Sequence, residues 1–128
     1  MVPSIPYHFS IIRYIHNIGA GEFINIGIAM LLPSQAHLMV KLSSDHNRAS
    51  RFFYNLHIPG YLLLIQDLRD RFNAVLKIDR NFEEILCSAI PPDSDCFSYS
   101  EVMCGITDDP DKRFDELYCQ FVGRHKEK

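Results

Sequence analysis

The residues that could do chemistry are few and cluster near the start of the chain: Arg13, Glu22 and Asn25, with Ser10 close by and Glu101 far downstream. A carboxylate beside a guanidinium and an amide is a set that can hold a polar ligand. A second carboxylate would add a general acid or base. Glu22 and Glu101 are therefore the catalytic candidates, and Ser10, Arg13, Glu22 and Asn25 the binding candidates.

The chemistry depends on register. If the first two apolar segments form a hairpin with Arg13 opposite Glu22, then Ser10 falls opposite Asn25, and Ile11–Ile24, Phe9–Ile26 and Tyr7–Ile28 become cross-strand pairs on the Arg13 face. Arg13 and Glu22 would then form an ion pair, structural or functional. Asn25 and Gly27 are poor strand formers in mid-strand, which points either to a site or to close helix packing over Gly27 with Asn25 bonded to backbone.

Other constellations are weaker. Gly19-Ala20-Gly21 follows a strand but leads into another strand, so it lacks the helix N-terminus that a phosphate loop uses and reads as a turn. Asp108, Asp109 and Asp111 surround Pro110 at a helix start, where capping accounts for them better than a cation does. Cys87, Cys96, Cys104 and Cys119 have no metal-ligand spacing with one another or with His46, His57 or His125. No metal and no cofactor is expected, and reduced thiols point to the cytoplasm.

The elements that must position these groups read clearly. Residues 7–15 and 22–32 are β-branched and aromatic, and the second run stops at Pro33. His37 to Ser43 alternates as a third strand. Ser44 or Asp45 caps a helix bearing Ala49, Phe52, Phe53 and Leu56, which His57-Ile58-Pro59-Gly60 ends. Tyr61 to Leu76 carries an apolar stripe, and Asn81 with Glu84 resembles a capping box opening one short helix more. Residues 96–106 alternate but switch parity, as a bulge near Glu101 would produce. Asp109-Pro110 opens a last helix with Phe114, Leu117, Tyr118, Phe121 and Val122 on one face.

The expected fold is therefore α+β, a mainly antiparallel sheet of about four strands in the order β-β-β-α-α-β-α. It forms one domain over residues 1–123, with a frayed charged tail at 124–128. Both sheet faces are apolar, so helices must cover both or a partner must cover one.

With 128 residues, 47% of them hydrophobic and a net charge of -3, the chain can bury a core but offers no broad basic field for nucleic acid. The apolar run from Phe23 to Leu32 is too short to cross a bilayer, so no membrane anchor is expected. These features point to a non-catalytic protein-interaction or regulatory module with a protein partner or a homo-oligomer. The alternative is a small enzyme acting on nucleic acid or nucleotide around Arg13, Glu22, Asn25 and Glu101.

The segments Phe9-Ser10-Ile11-Ile12-Arg13-Tyr14 and Gly21-Glu22-Phe23-Ile24-Asn25-Ile26-Gly27-Ile28 resemble the signature of the bacterial domain of unknown function 3037 family, as does the run from Ile106 to Val122. The family's proline after the first strand is His16 or Asn17 here, and its arginine before Gly21 is Ala20, so any ligand contact made by that arginine is absent. The resemblance implies this fold, no assigned activity, and a role beside a HipA-like kinase in a toxin-antitoxin or phage-defence locus.

Overall fold

The structure, a computed structural model, describes residues 4–17, 19–43, 45–53, 55–75 and 81–123. The expectations for Ser44 as a cap, for Leu76, for His125 and for the tail lie outside these residues. The elements run β1 (Ile5–Asn17), β2 (Glu22–Leu32), β3 (His37–Leu42), α1 (His46–Phe52), α2 (Ile58–Val75), α3 (Phe82–Ala89), β4 (Phe97–Tyr99), β5 (Met103–Thr107) and α4 (Pro110–Phe121). The fold is α+β with an antiparallel sheet.

Local chemistry sets most of the boundaries. Pro33 ends β2, and a 3-10 turn over Pro33–Gln35 closes through Ala36 with φ 48°. Asp45 caps α1 by accepting the Asn47 and Arg48 backbone N–H groups. The capping box is formed: the Asn81 side chain accepts from the Glu84 N–H at 2.8 Å, and the Glu84 carboxylate accepts from the Asn81 N–H at 3.2 Å. Asp109 caps α4 by accepting from the Lys112 N–H, with Pro110 in the first turn. One boundary moves: Ile58-Pro59-Gly60 opens α2 instead of ending α1. A proline in the first turn loses no intrahelical hydrogen bond, so it starts helices as readily as it stops them.

The sheet order is β3-β2-β1-β4, with β5 also paired to β1. β4 and β5 are two halves of one outer strand. Tyr99 lies opposite Ile12 and Met103 opposite Phe9, so β1 has two residues between these pairs and the outer strand three. That extra residue is the bulge the parity switch predicts at Glu101. The strand breaks there, which gives five strands where about four are expected.

Helices cover both faces. Ile12, Tyr14, Ile24, Ile26 and Ala29 pack under α1, α2 and α3, whose Ala49, Tyr61, Ile65, Leu68, Phe72, Ile85 and Leu86 complete the larger core. Tyr7, Phe9, Ile11, Ile28, Met30 and Leu32 pack under Phe114, Leu117, Tyr118 and Val122 of α4. Each fully buried Leu, Ile or Phe contributes roughly 1.5–3 kcal/mol relative to its exposed state. Of the two alternatives for the apolar faces, helices of the same chain cover both.

Candidate functional site

The hairpin register differs from the one that places Arg13 opposite Glu22. Phe9 faces Met30, Ser10 faces Ala29, Ile11 faces Ile28 and Ile12 faces Gly27; the register then shifts, so that Arg13 faces Asn25 and Tyr14 faces Ile24. The physical reason is a bulge in β2 at Ile26, next to Gly27, which pairs closely with Leu42 of β3. A Cβ on Gly27 would sit 2.5 Å from the Lys41 carbonyl oxygen. The close approach at Gly27 is therefore to a strand and not to a helix. The bulge turns Ile24 and Ile26 to the α1–α3 face while Ile28, Met30 and Leu32 face α4. A second irregularity precedes Asn17, which faces Glu22.

The expected Arg13–Glu22 ion pair is consequently not formed. Glu22 is exposed at the strand end, and the described residues hold only two ion pairs, Arg71 with Asp67 and Arg113 with Glu116. Ser10 is fully buried and far from Asn25. Its hydroxyl donates to the Ser100 carbonyl at 2.6 Å, and Ser100 Oγ accepts from the Ile11 N–H at 2.8 Å. Both serines stitch the β4–β5 break to β1.

Asn25 does what the backbone-bonding reading requires. Its Nδ2 donates to the Phe121 carbonyl at 3.0 Å, in the last turn of α4, and its own carbonyl accepts from Arg48 Nη1 at 2.8 Å. One residue thus ties α1 and α4 to the bulged strand. Donors are well placed at a helix C-terminus, where carbonyls are unpaired and the dipole is negative.

Arg13 stands apart. It lies in a row across three strands, between Asn25 on β2 and Ser98 on β4, and cross-strand neighbours share a face. Phe23 and Ile15 extend the same face by one strand period. The Arg13 Cζ sits 5.2 Å from the Phe23 ring centroid. Its Nε is shut from solvent with no hydrogen-bond partner among the described residues. Helix α4 ends at Phe121, beside Asn25. Arg13, Ile15, Asn25 and Ser98 remain half-buried, and Phe23 is 50% exposed. The result is a sheet floor with a cation on an aromatic ring and no ion pair to that cation among the described residues.

Glu101 is elsewhere. It is exposed and borders an open groove of about 340 Å³ with Glu83, Glu84 and Cys87 of α3 and with Tyr99. Burial, with Cys87 and Glu83 adding, pushes the Tyr99 hydroxyl up from its ordinary pKa. Because α3 packs on the sheet face opposite α4, Glu101 and Arg13 do not share a cleft. The structure therefore brings Arg13 and Asn25 together, leaves Glu22 at the hairpin tip and sets Glu101 in a separate groove. No group of three or more His, Cys, Asp or Glu among the described residues is arranged to hold a metal ion. All four cysteines are free, and among the described residues no helix is long and apolar enough to cross a membrane.

Sequence reasoning missed Phe23, Ser98 and Arg48. Phe23 was within reach, since it has the same strand parity as Asn25. Ser98 required the β1–β4 register, and Arg48 required the place where α1 returns to β2.

The arrangement defines a small α+β protein whose sheet is covered on both faces except at one end, where an arginine waits on an aromatic ring. It belongs to the family described as protein of unknown function (DUF3037), which it matches over residues 9–122. Comparison with curated proteins and with solved structures gives no match.

Proposed function

We propose that this protein is a non-catalytic protein-interaction module whose docking surface is the open floor formed by Arg13, Ile15, Phe23, Asn25 and Ser98. The observation that carries the reading is the Arg13–Phe23 pair: arginine and aromatic side chains dominate interface hot spots, and here a half-buried Arg13 lies on a half-exposed Phe23 ring beside polar neighbours. The separation of Arg13 and Asn25 from Glu22 and Glu101 weighs against the alternative, a small enzyme acting on nucleotide or nucleic acid.

Because both sheet faces are covered by the chain's own helices, the partner is not a missing structural layer. It engages the sheet end as a separable, regulatory contact. The resemblance of the family's setting makes a HipA-like kinase in a toxin-antitoxin or defence locus the first partner to try, in a bacterial cytoplasm, with a second copy of this chain as the other outcome. Size-exclusion chromatography with light scattering, alone and with the neighbouring kinase, tests this. The expected result is a complex or dimer that Phe23→Ala and Arg13→Ala each weaken by about tenfold or more. A strict monomer that captures neither overturns the reading.

A further inference from the structure

Resting on that docking reading, we infer that Arg13 receives a single carboxylate, an Asp or Glu side chain of the partner. Five N–H donors belong to an arginine, and no described residue accepts from any of those of Arg13: Ser98 and Asn25 flank it, Phe23 lies against it, and Glu22 pairs with Asn17 at the strand end. Charge complementarity calls for an anion. The floor itself is Ile15 and Phe23, which suits the methylene stem of an acidic side chain better than a hydrated ion.

The charge of that anion follows from its surroundings. Among the described residues Arg13 is the cation set on the floor itself, and Arg48 of α1 is a second cation at its edge, where its Nη1 donates to the Asn25 backbone carbonyl. The last turn of α4, with its negative dipole end, stands beside Asn25. A monoanionic carboxylate matches the Arg13 guanidinium one to one, whereas a dianionic phosphate would call on Arg48 as well, whose Nη1 is already engaged. The terminal NH2 groups of Arg13 carry the contact, since Nε is closed off.

The test is NMR on the full chain with ¹⁵N-labelled arginine side chains and backbone amides, titrated with N-acetylglutamate α-amide, its neutral twin N-acetylglutamine α-amide, chloride and inorganic phosphate. The glutamate compound should move the Arg13 Nε–Hε signal and the Phe23 and Ser98 amides saturably. The neutral twin and chloride should not. Arg13→Gln should abolish the response with the amide spectrum still dispersed, and Arg13→Lys, which keeps the charge but not the fork, should retain a weaker one. Equal responses to the glutamate and glutamine compounds, or to chloride, overturn the inference. So does phosphate saturating at a concentration about tenfold lower, which would make this a phosphoryl site. If partner capture is lost in Phe23→Ala but survives in Arg13→Gln, the carboxylate inference fails while the docking surface stands.

Discussion

Replacing Gly27 with alanine tests the origin of the register that builds the site. The new Cβ would lie 2.5 Å from the Lys41 carbonyl oxygen, 2.6 Å from Leu42 Cδ2 and 3.2 Å from Leu42 Cα. The first of these is close to an ångström short of ordinary contact, and a backbone carbonyl in a paired strand cannot swing aside. β3 must move away from β2, stretching the pairing at Gly27–Leu42 and the 2.7 Å bond from the Ser43 N–H to the Ile26 carbonyl. Overpacking costs about 1–3 kcal/mol, and weakening one or two ladder bonds adds roughly 1 kcal/mol. The lower conformational entropy of the unfolded alanine chain offsets about 0.4–1 kcal/mol of this. The expected loss is about 2 kcal/mol, seen in urea denaturation and as a Tm lower by roughly 8 °C. Gly21→Ala is the internal control: φ is +68° but nothing lies within 4 Å of the added Cβ, so only the left-handed backbone penalty of about 1–2 kcal/mol applies. If Gly27→Ala costs less than Gly21→Ala, the close approach to β3 is not what fixes the bulge.

Ser10→Ala removes the buried donor to the Ser100 carbonyl and should cost about 1–3 kcal/mol in urea denaturation, without altering the partner contact. Ser98→Asp puts a carboxylate directly opposite Arg13; it should leave stability within about 1 kcal/mol and yet silence the response to the glutamate compound by filling the site from within. A Ser98→Asp variant that still responds refutes the assignment of the anion to Arg13. Burial pushes the Tyr61 hydroxyl up to about 12, against Arg48, which pulls it down. A folded-state pKa raised above the unfolded 10 means that this contribution to stability is whole below pH 10 and is lost as pH climbs from there through about 12. Alkaline unfolding should set in over that window and soften in Tyr61→Phe. Tyrosinate absorbance showing Tyr61 ionising in the native protein near its ordinary value would refute it.

Helix starts were legible because capping is local chemistry: Asp45, Asn81 and Asp109 each act within three residues. The bulge at Glu101 was legible for a similar reason, since an inserted residue flips apolar parity in the sequence itself. Ile26 flips parity too, yet Ile24, Ile26, Ile28 and Met30 are all apolar, so the switch left no mark. A strand apolar on both faces hides its own bulge. Loop length held a clue: placing Arg13 opposite Glu22 leaves eight residues between the strands, whereas the observed Asn17–Glu22 pairing leaves four, within the usual length of a hairpin loop.

That one-strand error decides how the site is understood. Opposite Glu22, Arg13 would be a neutralised surface pair of little energetic consequence. Opposite Asn25 the guanidinium has no counterion, since an amide is neutral and the Asn25 Nδ2 donates to the Phe121 carbonyl of α4. The same bond fixes the end of α4 beside the row, where Phe23 stays half exposed. Asn25 is thus a positioning residue, tying the helix end down. Burying the Arg13 Nε–H without an acceptor among the described residues costs about 1–3 kcal/mol. The arginine is held by the Phe23 ring instead, and the two together leave a charge for a partner to answer.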